Sequence, residues 1–334
     1  ARSRRIGIDY AGRGPGLPLA FFSPANPHVS GGKASGDTTR QDKKGEKMAY
    51  QIHKNVMPDP KARRAFDALA SQVFGLSFED WYAAGYWTAS NLPYTLFDGD
   101  TALANVSVNR LTVLLQGRRR HYIQLGTVMT RPGHRGRGLA RRLMEEVLRD
   151  WSGRCDGMFL FANETVLDFY PRFGFRRAAQ SRYILPVAAP LGEARPLNPD
   201  SPRDLSVLRA CYETGNPFSA CQVVENFGLL MFYCRSLWKD CLYYLPRQNA
   251  VAVARQEGDS LHCLDLFGGS DRDAAVAQLA RPGVREAVLG FTPTEPAFCR
   301  REPEDDDGDA LFVLEGGENP FAGGMLHFPE LSHT

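Results

Sequence analysis

Apolar and polar positions change rhythm several times along the chain, and each change marks an element. Residues 60–74, PKARRAFDALASQVF, place Phe66, Leu69, Ala70 and Val73 at helical spacing, and Gly75 stops the run. Residues 77–87, SFEDWYAAGYW, open with a serine and a Glu-Asp pair, the signature of a second short helix. LPYTLFDGD carries an Asp-Gly turn, and ANVSVNRLTVLLQGRRRHYIQLGTVMT reads as two strands meeting around Gly117. LARRLMEEVLRDW sets Leu139, Leu143, Val147 and Leu148 on one helix face. MFLFAN is a continuous apolar strand, VLDFYPRF a short helix, and RRAAQSRYIL another strand. This order predicts a mixed α/β fold.

Two stretches interrupt the pattern. Residues 1–47 are rich in Gly, Pro, Ser, Arg and Lys, and their stretch GGKASGDTTRQDKKGEK holds almost nothing that can be buried, the composition expected of a disordered tail or leader, with Met48 as a natural start. Residues 186–202 contain five prolines in seventeen positions, a linker that forms neither helix nor central strand. Between these stretches lies a first unit, 48–185; beyond them lies a second, 203–334. The second is expected to run as helices near 203–214 and 222–237, the strands CLYYLP, AVAVARQ and LHCLDLFG as an antiparallel meander, the helix DRDAAVAQLA, and the strands REAVLGF and ALFVLEG. Its order repeats the first.

Composition narrows the function classes. The formal charge of +2 is nearly balanced, so polyanion binding can come only from local clusters. Seven cysteines without a CxxC pair, mostly in apolar runs, suggest reduced thiols in a cytoplasmic protein and argue against a disulfide framework or a zinc site. No apolar stretch approaches the roughly 18 to 20 residues that cross a bilayer. The acidic run EPEDDDGD reads as a solvated loop.

RPGHRGRGLARRLMEE, residues 131–146, concentrates the chemistry. A strand passes through glycines at 133, 136 and 138 into a helix, which exposes successive backbone N–H groups at a positive helix end and suits an anion such as pyrophosphate. No GKS or GKT follows, so this is not a Walker loop, and the glycine spacing is not that of a dinucleotide fingerprint. On the bland reading, most of the arginines here are solvated, with Arg141, Glu145 and Arg149 at pairing distance along the helix. His121 and His134 need be no more than edge and loop residues.

Arg135 to Ala140 fits RxxGxA, the strand LGTVMTRP precedes it, and Asn163 and FYPRFGF follow. On these residues the stretch 48–185 resembles the GNAT superfamily of acetyl-CoA-dependent N-acetyltransferases, and the second unit looks like a degenerate, non-catalytic GNAT-like copy. The resemblance implies a tandem of two such domains and transfer of acetyl from acetyl-CoA directly to an amine, with no metal. The backbone of Arg135, Gly136, Arg137, Gly138, Leu139 and Ala140 would hold the pyrophosphate. Val128 and Met129 would bond the pantetheine arm, Asn163 would contact its amide, and Tyr170 would protonate the departing thiolate.

The base is open. Gln124 and Thr130 occupy the usual neighbourhood and do not titrate, which leaves water, Glu79, Asp80 or a carboxylate at Thr334. Phe78, Trp81, Tyr82, Tyr86 and Trp87 either line an acceptor cleft or pack as core. Asn163 alone is an ordinary helix cap, and Tyr170 alone a packed aromatic. In the second unit FGGSDRDAA sets Asp271 and Asp273 where an anion would sit, so that unit is expected to serve as scaffold, dimer surface or acceptor wall. The acceptor class, a small-molecule amine or a peptide or protein amine, is not fixed. Two rival readings are a silent acyl-CoA sensor or partner-binding module, and a nucleic-acid binder, which the balanced charge disfavours.

Overall fold

The computed structural model describes residues 50–304 and 309–334; the tail expected over 1–47 and the middle of the acidic loop lie outside them. In chain order the elements are β1 (Gln51–His53), α1 (Pro60–Phe74), α2 (Glu79–Ala83), β2 (Asn91–Asp98), β3 (Thr101–Leu115), β4 (Arg118–Thr130), α3 (Leu139–Trp151), β5 (Gly157–Asn163), β6 (Phe175–Arg177) and β7 (Ser181–Pro186). There follow β8 (Arg195–Pro196), α4 (Pro202–Thr214), β9 (Cys221–Val224), α5 (Phe227–Arg235), β10 (Leu242–Leu245), β11 (Ala250–Glu257), β12 (Ser260–Gly268), α6 (Arg272–Leu279), β13 (Glu286–Leu289), β14 (Arg300–Pro303) and β15 (Asp309–Leu314).

Local chemistry explains the sharp boundaries. Asp59 caps α1 by accepting the Lys61 N–H at 2.8 Å, Pro60 tolerates the first turn, and Gly75, at φ 70°, ends the helix in the left-handed region. On α3, Leu139, Leu143, Met144 and Val147 are buried against the sheet. Arg149 on its outer face pairs with Glu146, not with the expected Glu145.

Two mixed sheets share one plan. The first runs β1-β2-β3-β4-β5-β15-β6, and the second β14-β7-β13-β12-β11-β10-β8. In each, an antiparallel meander leads through a helix to a parallel partner: β4 to β5 by α3, and β12 to β13 by α6. The next strand of each sheet comes from the other half of the chain. β7, expected to close the first unit, pairs with β13 and β14, while β15, expected in the second, sits between β5 and β6. The exchange is reciprocal, because alternating apolar positions specify which faces are buried without specifying the neighbouring strand. A second departure is β9: residues 222–224, read as the start of the helix near 222–237, join Cys221 in pairing with the far end of β3, where Cys221 and Val223 enter an apolar cluster.

Candidate active site

The site begins with a defect in β4. Ser107 pairs with Gly126 and Asn105 with Met129, so Val106 on β3 faces two residues, Thr127 and Val128, on β4. Thr127 adopts φ 41°, which is strained for a β-branched residue. Buried polar groups hold it there. The Asn105 amide donates to the Thr127 carbonyl at 3.0 Å and to Ser107 Oγ at 3.0 Å, Thr127 Oγ1 donates to Ser107 Oγ at 2.7 Å, and Thr95 Oγ1 donates to Asn105 Oδ1 at 2.8 Å. Sequence reading missed this network; its only trace is the polar alternation in ANVSVN, which looks like a solvated face.

The bulge opens a slit. β4 and β5 pair from Tyr122↔Gly157 to Leu125↔Leu160 and no further, so Gly126–Thr130 and Phe161–Asn163 diverge. Val128 leans toward α3, whereas Met129 is buried against α1 and α2. Past the slit, Gly133, Gly136 and Gly138 all have positive φ, between 75° and 82°. Gly138 is the N-cap of α3 and has no side chain to offer, so the amides of Arg135 to Arg141 donate to no other group among the described residues. The result is an exposed nest of N–H groups at the positive end of a helix. The second unit has filled its equivalent: Asp271 accepts the Ala274 N–H at 3.0 Å and caps α6 itself.

Asn163 and Tyr170 stand at the other side of the slit. Asn163 Oδ1 accepts the Thr165 N–H at 3.0 Å, which makes the residue a cap. Tyr170 packs among Phe169, Phe175 and Phe312, and its hydroxyl makes no hydrogen bond to a described residue. Burial, and secondarily the charge of Asp309, push its phenol well above the usual range. Asp309 lies opposite Asn163 across the β5–β15 register, and burial pushes its carboxyl up to about 6.

On the opposite face of β4 is a cavity of about 60 Å³. Asn91, Asn109, Gln124 and Thr127 line its sheet side, and Phe78, just before α2, and Trp81 of α2 line part of the far side; Tyr82, Tyr86 and Trp87 do not reach it. Trp81 Nε1 donates to the Gly228 carbonyl at 2.7 Å, which ties α2 to α5. Residues 330–334 complete the wall. With its amide turned to satisfy both groups, Gln124 donates to the Ser332 carbonyl at 3.0 Å and accepts the Thr334 N–H at 2.9 Å. A Cβ on Gly126 would lie 2.1 Å from the Thr334 carbonyl oxygen, so only glycine permits this contact. Of the residues considered for the base, Glu79 is bound to Arg63 at 2.9 Å and Asp80 is exposed, while Thr334 lines the cavity.

A buried charge network anchors the segment that carries Thr334. Glu330 Oε1 lies 2.7 Å from His262 and 3.5 Å from His327, which lies 3.0 Å from Glu304. Burial would lower the His327 pKa, but the carboxylates of Glu304 and Glu330 outweigh it and hold the imidazole at about 10. Glu330 is held well below the usual carboxylate range by His262 and His327 against the cost of burial. His333, stacked on Phe161 at 3.9 Å, is drawn down to about 4 by burial and then by His327. No feature of the sequence pattern pointed to these residues.

Residues 44–178 match the family model of the acetyltransferase (GNAT) domain. Solved structures share the architecture of both sheets. A conserved protein from Enterococcus faecalis V583, described as a probable N-acyltransferase, is 13% identical, with 79% of this chain and 72% of that chain covered at a TM-score of 0.55. A GCN5-related N-acetyltransferase from Kribbella flavida is 16% identical over 79% and 70%, at 0.50, and Eis1 from Mycobacterium abscessus 20% over 79% and 73%, also at 0.50. Likeness at such identities speaks for the fold. No curated protein sequence matches the chain. Among the described residues no helix is long and apolar enough to cross a membrane, and no cluster of ligating side chains has the makings of a metal site.

Proposed function

We propose, from the match of residues 44–178 to the family model of the acetyltransferase (GNAT) domain, that the chain moves the acetyl group of acetyl-CoA directly to a primary amine. The carrying observation is that the slit lies between the two halves a transfer needs, an anion nest at one end of β4 and a cavity on its other face. When bound, the co-substrate supplies an acetyl thioester. The amides of Arg135, Gly136, Arg137, Gly138, Leu139 and Ala140 suit its pyrophosphate, with the arginines adding attraction at longer range. The unpaired edge of β4 at Val128 and Met129 suits an extended amide-bearing arm, since a diverged strand leaves backbone groups unused. Asn163 stands at the matching end of β5.

Tyr170 acts as the acid. A phenol pushed upward by burial keeps its proton throughout the working range, so it is present to donate a hydrogen bond to the leaving sulfur as the carbon–sulfur bond breaks. The neutral acceptor amine attacks from the cavity beside Thr127, and the proton it sheds as the amide forms leaves through water and makes good the one taken up by the thiolate. The second unit carries no cofactor of its own, since Asp271 takes the helix end, and it contributes α5 and the 330–334 segment as acceptor wall.

Thiol release from acetyl-CoA, followed across a library of primary amines, tests the proposal. Tyr170→Phe should lower turnover at least tenfold with coenzyme A affinity unchanged within about twofold. Coenzyme A binding with no amine-dependent thiol release would favour the silent acyl-CoA sensor.

A further inference from the structure

Given that the cavity is the acceptor site of the reading above, the attacking nitrogen loses a proton inside it. Three residues of the wall each keep a buried polar atom without a partner among the described residues: Asn91 Oδ1, Glu330 Oε2 and His333 Nε2. An amide oxygen takes up no proton at working pH, so Asn91 can only orient. Glu330 already faces His262 at 2.7 Å and His327 at 3.5 Å. Against the cost of burial, these two hold its carboxylate well below the usual range, which leaves its free oxygen a poor proton acceptor.

His333 is placed differently. Its ring stacks on Phe161, centroids 3.9 Å apart, on the part of β5 that has diverged from β4, so it stands beside the slit. The Phe328 N–H is taken by Gln180 at 2.8 Å, so the backbone group of Phe328 that meets the His333 ring is its carbonyl. With Nε2 unpartnered, that bond belongs to Nδ1, which carries the hydrogen and leaves a lone pair on Nε2. Tyr233 fixes the same residue from the other side, its hydroxyl donating to the His333 carbonyl at 2.7 Å. Burial, and then the charge of His327, draw the imidazole down to about 4, so it is neutral at working pH. A base that weak does not strip a resting ammonium. It suffices once the carbon–nitrogen bond is forming, because the nitrogen's hydrogen turns strongly acidic as the lone pair is committed to carbon. The carboxylates of Glu330 and Glu304 favour the positive charge the ring then gains.

We propose that His333 is the base of the transfer, its Nε2 taking the proton of the attacking nitrogen while the new bond forms. The nitrogen lone pair makes the carbon–nitrogen bond, and the carbon–sulfur pair leaves on sulfur. The imidazolium hands its proton to the water through which it departs. Phe328 and Tyr233 act as positioning residues.

Amine-dependent thiol release from acetyl-CoA, measured on the full chain across the primary-amine library, tests this. His333→Phe keeps a ring against Phe161 and the carbonyl that Tyr233 uses, but has no lone pair. Its kcat should fall about 100-fold or more, the scale of a lost general base. The KM for the amine and the affinity for coenzyme A should stay within about threefold. His333→Ala should lose as much and regain at least tenfold when free imidazole is added, the regained rate rising as imidazole becomes neutral above roughly pH 6.5. The Phe variant, with the space filled, should regain nothing. A kcat within threefold of the unaltered chain in either variant, or a loss in His333→Ala that imidazole does not repair, overturns the inference and leaves the transferase reading standing. An unaltered chain that binds coenzyme A but releases no thiol with any amine overturns that reading, and the inference with it.

Discussion

Gly138 and Arg142 lie one turn apart and separate two accounts of anion binding. If the cradle is backbone, Gly138 matters because φ 76° places its amide in the nest; nothing lies within 4 Å of an added Cβ, so the harm from a larger residue is conformational rather than steric. Arg142 is exposed and reaches only the Tyr50 carbonyl, at 3.4 Å. Gly138→Val should weaken coenzyme A binding by more than tenfold in calorimetry, and Arg142→Ala by less than threefold. The reverse order would return the arginines to the centre. Asn105 deserves the same treatment on the other side of the slit. Asn105→Ala leaves the Thr127 carbonyl and the Ser107 hydroxyl short of a partner around a strained residue, a loss of about 1–3 kcal/mol in a buried setting. Its urea midpoint should fall, and turnover should fall more than that loss of folded protein explains, because the slit depends on the bulge. Turnover reduced only in proportion to folded protein would mean that the network supports stability alone.

At the scale of elements, α1 and α3 were legible almost to the residue because caps, glycine stops and a single apolar face all agreed. The loop 131–138 was legible for the same reason, its glycines being required by positive φ. Residues 221–224 were not: CQVV continues the apolar run of the helix that follows, and only the overhang of β3 makes it a strand. The 326–334 segment was illegible in a different way, since its docking rests on charges contributed by residues far away in the chain. That docking carries a pH signature. His327, raised to about 10 from its ordinary 6.5, contributes stability that is complete below about pH 6.5 and is lost as pH rises through 10. His333, lowered to about 4, contributes in the opposite sense, fully above about pH 6.5 and lost as pH falls through 4. Glu330, also depressed, adds to the acid limb. The urea midpoint should therefore peak near neutrality. Glu304→Gln removes one of the two carboxylates that hold the proton on His327, so its alkaline limb should begin at lower pH than in the unaltered chain. An alkaline limb that the substitution leaves in place would remove His327 from this account.

The exchange of β7 and β15 decides what counts as a folding unit for the whole molecule. A break in the proline-rich stretch looks like a boundary between two self-sufficient halves, yet each half lacks an inner strand of its own sheet. Without β15 the first sheet loses Ala310 and Phe312 from the core beneath α3 and Leu311 and Val313 from the opposite face, and β5 becomes an open edge. Burial of Phe312 alone is worth roughly 1.5–3 kcal/mol, a large share of a typical domain's margin. The second sheet without β7 loses Tyr183 and Leu185 and the only contact between β13 and β14. Residues 50–200 and 201–334, expressed separately, should each give aggregated or molten material, with no cooperative urea transition and no coenzyme A binding. Expressed together, they should assemble, because every strand then has its partner without a covalent link at residue 200. Fragment 50–200 folding alone and binding coenzyme A would show that β15 is dispensable, and the first sheet would then have to close on β6 directly. Reconstitution from two fragments, each inert alone, would make the exchanged strands what couples the acceptor wall to the anion nest. A substitution in β7 would then be expected to disturb acetyl transfer in a sheet it does not belong to.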